Sequence, residues 1–233
     1  MVDQELLTIW RATLESGGAL PSEETLAETL GASRPAIREG LIRMEANGLI
    51  RRQHGAGTFA NPAALDIGIR LDTDDDFTDR LEAVGFAVEL EVISADVVAL
   101  DESTAASLAM PVGTRALRTT KRWRADGTVA VVAVDHVPLA RRCSDEDAVA
   151  AADRPVRALA LDIGTGKVDW LSTWPSAIEL DAEVAAALEF EPGRAALRLE
   201  HVGVARHGHR VFHAMEHHRP GIVQFGLVQT TTD

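Results

Sequence analysis

The segment from Leu20 to Ala60 constrains the fold of this 233-residue chain more than any other. Two short helical patterns meet there at a tight turn, and a glycine-punctuated hairpin follows them. Ser22 is a good N-cap for the first helix, Gly31 suits its C-terminal turn, and Ser33 caps the next helix. This order predicts a winged helix-turn-helix.

The helix after Ser33 has two different faces. Its apolar residues predict a buried stripe of Ile37, Leu41, Ile42 and Met44. Arg34 and Arg38 stand four positions apart, so both point outward together. A recognition helix enters the DNA major groove with its N-terminus first, where these arginines can reach guanine edges or phosphates.

The charge of the chain limits how it binds DNA. The net charge is −13, and 46% of the residues are hydrophobic, which is ample for packed cores. Residues 1–60 hold six arginines, no lysine and eight acids, for a net charge of −2, so residues 61–233 carry −11. DNA contact must therefore depend on a local patch, and non-specific affinity is expected to be weak.

The cellular setting is predicted from simple absences in the sequence. No apolar run reaches the roughly 18 residues of a membrane span, and the N-terminal residues lack the pattern of a secretory signal. The single Cys143 cannot form an internal disulfide. These features predict a cytoplasmic protein with no membrane partner.

The rest of the chain predicts an α+β fold with an antiparallel sheet. An acidic linker is predicted at residues 63–75, between a DNA-binding domain at 1–62 and a second domain at 76–233. In the second domain short helices alternate with hairpins, one of which joins Arg115–Arg124 to Val129–Val137. A last strand is predicted at Phe225–Val228, and no internal repeat is evident.

Residues 20–60 resemble the winged helix-turn-helix of the GntR family of bacterial transcription regulators. Residues from about 76 to 228 resemble the effector-binding UTRA domain of its HutC-type branch, which is similar in fold to chorismate lyase. The landmarks are Leu-Ala-Met-Pro-Val-Gly at 108–113, Arg-Trp-Arg-Ala-Asp-Gly at 122–127 and His-Arg-Pro at 218–220. The resemblance implies a DNA-binding regulator, with repression relieved by a small metabolite as the favoured logic.

The predicted DNA contacts lie on the recognition helix and the wing. Ser33 can offer its hydroxyl and amide to a phosphate, and the wing glycines let the backbone approach DNA. The predicted DNA-binding residues are Ser33, Arg34, Arg38, Arg51, Arg52, His54, Gly55, Gly57 and Thr58. A homodimer on a pseudo-palindromic double-stranded operator is expected, because one module reads only a few base pairs.

The effector site is predicted from the resemblance, in which arginines on the central hairpin hold a small, often anionic metabolite. Arg122 and Arg124 match, and alternation places both on one strand face. The predicted effector-binding residues are Arg122, Arg124, Arg157, Glu216 and Arg219. A solvent-facing arginine pair and a surface Glu216–Arg219 ion pair stay open as alternatives. Trp170 and Trp174 also share a strand face, where core packing is favoured over ligand stacking.

Two departures from the resemblance concern the class of effector. Pro155 stands near the position of a serine whose helix start holds phosphate in relatives that bind phosphorylated sugars, and proline has no amide hydrogen to donate. Ala133 stands where the family often has a glutamate. Both departures argue against a sugar phosphate, although Arg157 can compensate with charge.

Other classes of function remain as alternatives. Six of the eight histidines lie between His201 and His218, so a metal-responsive regulator is possible. A small-molecule binding protein with weakened DNA binding is another alternative. The sequence contains no glycine-rich phosphate loop, nucleophile elbow or metal-hydrolase helix motif, so no enzyme activity, cofactor or metal is assigned.

Glu24 generates the first testable prediction. The family commonly has an arginine that contacts DNA at this position, and a glutamate repels phosphate there. We expect Glu24→Arg to bind operator DNA more tightly, with a steeper dependence of affinity on salt. A salt series of binding measurements checks this, and unchanged affinity would mean that Glu24 does not face the DNA.

Overall fold

The computed structural model describes residues 2–16, 18–53, 55–62, 64, 69–71 and 76–227. These residues form two compact units. One consists of the described residues before 74 together with 224–227, and the other consists of 76–223. No described helix is long and apolar enough to cross a membrane.

Three helices make up most of the first unit: α1 (Val2–Ser16), α2 (Glu23–Leu30) and α3 (Arg34–Ala46). Both predicted serine caps are confirmed. The Ser22 hydroxyl accepts a hydrogen bond from the Thr25 amide at 3.1 Å, and the Ser33 hydroxyl accepts one from the Ala36 amide at 3.3 Å. Gly31 ends α2 in the left-handed region with φ 60°, where glycine meets no steric penalty.

The core of the first unit lies between these helices. Its buried apolar residues include Leu6, Trp10, Leu26, Ile37, Leu41 and Met44. The Trp10 indole also donates to the Leu49 carbonyl at 2.6 Å. The prediction that Ile42 joins this core is wrong, because its side chain is 51% exposed. It follows Leu41 by one position, which rotates it about 100° around the helix.

A two-stranded hairpin completes the wing. Strands β1 (Ile50–Gln53) and β2 (Gly57–Ala60) pair antiparallel, with Gln53 opposite Gly57. Gly55 and Gly57 have φ values of 75° and 119°, which residues with a Cβ rarely adopt. The tight turn therefore depends on these two glycines.

Residues near the C-terminus belong with the first unit. Strand β3 (Ile69–Arg70) pairs in parallel with the short strand Phe225–Gly226, which is β10 in chain order. The sequence had placed a strand at Phe225–Val228 in the second domain, and Val228 lies outside the described residues. Pairing with β3 depends on contacts far apart in sequence, which local patterns do not reveal. Of the predicted linker, residues 64 and 69–71 are described, and its boundaries stay predictions.

The second unit is a six-stranded antiparallel sheet with helices on both faces. In chain order its elements are α4 (Phe77–Ala83), β4 (Val88–Ala99), α5 (Glu102–Leu108), β5 (Arg115–Ala125), β6 (Thr128–Pro138), α6 (Asp145–Ala150), α7 (Val156–Asp162), β7 (Trp170–Glu179), α8 (Ala182–Ala187), β8 (Ala195–Val204) and β9 (Arg210–His218). The strand order is β4-β5-β6-β9-β8-β7. The fold class predicted from the sequence is confirmed.

Each face of the sheet has its own core. Helices α6 and α7 pack on one face, against Leu117, Val137 and Phe212. Helix α8 packs on the other face, against Val132. The sheet therefore presents two distinct surfaces, and a side chain's place in the strand alternation decides which one it joins.

The sheet consists of two similar halves, β4-α5-β5-β6 and β7-α8-β8-β9, which meet where β6 pairs with β9. The helices are capped alike: Asp101 accepts from the Thr104 amide and Asp181 from the Val184 amide, each at 2.8 Å. Residues in the left-handed region follow both helices, with φ 52° at Ala109 and 51° at Glu189. The expectation of no internal repeat is thus wrong for the fold.

A close contact in the sheet generates a stability prediction. A Cβ added at Gly203 would lie 2.2 Å from the Phe212 ring. We expect Gly203→Ala to lower the free energy of unfolding by about 1–3 kcal/mol through overpacking, as measured by urea denaturation. Gly166→Ala is the control, because its added Cβ meets atoms no closer than 3.7 Å. Equal effects of both substitutions would contradict the packing argument.

Candidate nucleic-acid interface and effector pocket

The recognition helix α3 presents its arginines to solvent. Ser33 caps the helix, and Arg34 and Arg38 follow on the side away from the buried Ile37 and Leu41. The side chains of the two arginines are 61% and 63% exposed. They can therefore reach a ligand without any change in the fold of the helix.

The wing carries the other predicted DNA contacts. Arg51 and Arg52 lie on β1, and Thr58 lies on β2 beyond the two glycines. The Arg51 guanidinium lies 5.8 Å from the centre of the Phe59 ring. The predicted contact His54 lies outside the described residues.

Acidic residues of α2 contact both arginines of the recognition helix. Arg38 donates from Nε and Nη2 to Oε2 of Glu23, at 3.1 and 2.9 Å. This hydrogen bonding, reinforced by the charge of Arg38, lowers the pKa of Glu23. Arg34 Nη1 lies 3.5 Å from Oε1 of Glu24, and both side chains are mostly exposed.

A pocket opens on the α7 face of the sheet in the second unit. Its charged and hydrogen-bonding lining consists of Asp76, Thr78, Arg80, Lys121, Asp135, Arg154, Arg157, His201 and Glu216. Phe77, Trp123 and Phe212 supply aromatic surface. Pro155 and Ala133, the two departures noted in the sequence, also line it.

A buried ion pair forms part of the pocket floor. Lys121 Nζ lies 3.3 Å from Oδ2 of Asp135, and both side chains are almost fully buried. The lysine also donates to the Arg154 carbonyl at 2.7 Å, and the Thr119 hydroxyl donates to Asp135 at 3.1 Å. Burial raises the pKa of Asp135, and the charge of Lys121 opposes that shift.

Glu216 lies between two histidines beside this pair. Its Oε2 is 3.0 Å from Nε2 of His218 and 3.3 Å from Nε2 of His201, a contact without hydrogen-bond alignment. The Thr173 hydroxyl lies 2.9 Å from Nδ1 of His201. Burial alone raises the pKa of Glu216, but the histidines outweigh it and hold that pKa well below its ordinary value.

The structure brings only part of the predicted effector set to the pocket. Glu216 and Arg157 line it. Arg122 and Arg124 point to the opposite face, where both are paired with Glu189. Arg219 lies 4.8 Å from the Phe190 ring, which packs with the α8 core on that face.

Sequence reasoning missed Lys121 and Trp123, which alternate with the two predicted arginines. Alternation correctly indicated a shared face for Arg122 and Arg124, but it does not tell which face carries the pocket. Trp170 and Trp174 are half exposed, so the expectation of core packing for them is wrong.

The histidines between 201 and 218 separate into three places. His201 and His218 contact Glu216, whereas His213 and His217 lie on the other face, where Nε2 of His213 is 3.0 Å from Glu200. His207 and His209 lie in an exposed turn. Across the described part of the chain, no three metal-ligating side chains are grouped to hold an ion. The cluster seen in the sequence is therefore dispersed by strand alternation.

The architecture defines a winged helix-turn-helix protein with a second, pocket-bearing α+β unit. The chain belongs to the GntR family: the model of the bacterial regulatory proteins of that family matches residues 3–60, and the model of the UTRA domain matches residues 83–221. The HutC-type branch stays a prediction.

Known relatives agree with this assignment. The HTH-type transcriptional regulator Mce2R of Mycobacterium tuberculosis is 51% identical over 59 residues, which cover 24% of this chain and 25% of the relative. The chain thus spans about a quarter of the curated relatives that it matches. Over 99% of both chains, the possible transcriptional regulator YydK of Bacillus subtilis aligns with a TM-score of 0.68 at 19% identity. PhnF of Mycobacterium smegmatis aligns over all of both chains with a TM-score of 0.60 at 20% identity.

His136 generates a prediction on pH and stability. Burial, aided by the charges of His213 and Arg118, lowers its pKa to about 4. An unfolded histidine titrates near pH 6.5, so below that pH the unfolded chain gains a proton that the folded chain does not take up until about pH 4. The folded state is therefore expected to lose on the order of 2–3 kcal/mol from this residue as the pH falls from 7 to 4.

We expect His136→Gln to reduce that loss, measured by urea denaturation across the pH range. His209→Gln in the exposed turn is the control and should keep the wild-type pH dependence. An unchanged pH dependence in His136→Gln would contradict the assignment.

Proposed function

We propose that the chain is a DNA-binding transcription regulator whose operator affinity is controlled by a small metabolite. The observation that carries this proposal is the exposed pair Arg34 and Arg38 at the start of a capped helix, together with a β-hairpin wing whose turn contains Gly55 and Gly57. DNA contacts are assigned to Ser33, Arg34, Arg38, Arg51, Arg52, His54, Gly55, Gly57 and Thr58. Repression relieved by the effector is the proposed direction, through reciprocal coupling of the two binding events.

We assign the effector to the pocket of the second unit and propose that it is anionic. The opposite charges of Lys121 and Asp135 are paired, and Glu216 lies between two histidines. Arg80 and Arg157 add positive charge at the wall. The Arg80 Nε atom is buried and has no hydrogen-bond partner among the described residues, so an anionic ligand would satisfy it. Arg122, Arg124 and Arg219 are left out of this assignment.

A homodimer on a pseudo-palindromic operator completes the proposal. One recognition helix reads only a few base pairs, and a twofold pair of units multiplies the discrimination. A cytoplasmic location and the absence of enzymatic activity belong to the same proposal, because control of DNA binding accounts for both units. The alternative, a small-molecule binding protein with weakened DNA binding, differs in its behaviour toward DNA.

Sequence-specific DNA binding is tested by letting the full chain select duplexes from a randomised library. We expect an enriched inverted repeat, bound at least tenfold more tightly than a scrambled duplex of the same composition. Arg38→Ala should lose most of that preference, since one bidentate base contact contributes roughly 1–3 kcal/mol. Equal binding of enriched and scrambled duplexes would favour the small-molecule alternative.

Binding of an anionic effector is tested by screening metabolites for a rise in melting temperature, because a ligand that binds the folded state raises it. Any metabolite that stabilises the wild type should also weaken binding to the enriched duplex. Arg80→Gln and Arg157→Gln should lose the stabilisation. Arg124→Gln is the matched control on the opposite sheet face and should keep it. If Arg124→Gln loses the ligand-induced rise in melting temperature and the pocket variants keep it, the effector binds at the hairpin arginines and not in the pocket.

A further inference from the structure

Glu24 lies at the place where the recognition helix begins. It is the second residue of α2, and its carboxylate lies 3.5 Å from the guanidinium of Arg34, the first residue of α3. Both side chains are more than 60% exposed. The Glu24 carboxylate therefore lies close enough to Arg34 to approach the same part of a DNA groove.

The chemistry of a carboxylate restricts what that atom can be. An ionised carboxylate only accepts hydrogen bonds, so phosphate oxygens and the acceptor edges of guanine and thymine repel it. In the major groove the donors are the exocyclic amines, N4 of cytosine and N6 of adenine, and cytosine N4 is the usual partner of glutamate. Arg34 has the opposite preference, because its guanidinium donates to O6 and N7 of guanine.

We propose that Glu24 is a specificity-determining residue, which accepts a hydrogen bond from a cytosine amine beside the guanine contacted by Arg34. The inference rests on the proposed DNA-binding function, and it revises the expectation from the sequence that Glu24 only repels phosphate. Glu24→Arg should then gain affinity for DNA of any sequence, with a steeper salt dependence, and lose preference for the cytosine-bearing operator. In the free protein the two groups already lie 3.5 Å apart, within reach of neighbouring base edges. On DNA the carboxylate contacts a donor edge and the guanidinium contacts an acceptor edge. Guanine or thymine at the cytosine position would face the carboxylate with an acceptor.

The neighbouring pair, Arg38 with Glu23, differs in geometry. Glu23 receives two hydrogen bonds from Arg38, and its side chain is only 26% exposed. This carboxylate is already occupied and partly covered, so it positions Arg38 and is not expected to read a base. The inference is therefore confined to Glu24.

Duplex selection with three proteins tests the inference: the wild type, Glu24→Gln and Glu28→Gln. Glu28 lies exposed on the same helix, so its substitution controls for the charge change alone. We expect the wild type and Glu28→Gln to enrich cytosine at one position of each half-site. Glu24→Gln should lose the preference at that position and keep all others, because an amide both donates and accepts.

A direct binding measurement gives the size of the effect. Replacing that cytosine by thymine exchanges the amine for an acceptor and should weaken wild-type binding by roughly five- to 100-fold. The same change should weaken Glu24→Gln by less than about threefold. Melting curves confirm that each variant is folded.

Two results would overturn the inference, and they differ from each other. If all three proteins enrich the same sequence and lose equal affinity on the cytosine-to-thymine change, Glu24 reads no base while the proposed function stands. If the wild type enriches no sequence, the proposed function fails and the inference fails with it.

Discussion

The second unit depends on burying charged side chains in the middle of its sheet as pairs. Removing one partner of a buried pair typically costs about 3–5 kcal/mol, because the other charge is left uncompensated. Lys121 and Asp135 satisfy this constraint in one half of the sheet. At matching positions in the other half, the buried Glu216 lies 3.3 Å from Nε2 of His201.

The correspondence follows from the strand register. Lys121 lies opposite Ala133 on β6, and His201 lies opposite Ala214 on β9, with the acid two positions further along the strand in each case. Because β6 pairs with β9, both pairs come to the same face near the junction of the two halves. The pocket is thus a consequence of the duplicated fold, and the charge of Lys121 in its lining is already paired with Asp135. If the pocket is the effector site as proposed, selectivity for the ligand depends on residues of the helices that line it, such as Arg80 and Arg157.

The sequence predicted the first unit well and the site in the second unit poorly, for one physical reason. Caps such as Ser22 and Ser33, and glycines such as Gly55, act over a few residues, so local patterns determine the helices and the wing. The face of β5 that lines the pocket is decided by pairing with distant strands and by the packing of α7. Arg122 and Lys121 carry the same charge on opposite faces, and no local signal distinguishes them. The repeated halves share helix caps and topology, and also identical residues such as Asp101 and Asp181, Leu108 and Leu188, and the run Ala-Leu-Arg at 116–118 and 196–198.

The charge balance of the first unit determines how regulation can work. Arg38 already donates hydrogen bonds to Glu23, so it gains little from phosphate alone, since one charge-assisted hydrogen bond replaces another. Arg34 lies 3.5 Å from Glu24, whose negative charge offsets the attraction of Arg34 for phosphate. In the proposed homodimer, affinity then comes from base contacts that two copies of the DNA-binding unit make at the same time. Coupling energies between ligand sites are typically about 1–3 kcal/mol, too small to release a protein held by strong bulk attraction to DNA. A weakly attracting DNA-binding surface makes control by a small metabolite effective, which is why the acidic partners of the recognition helix are compatible with function.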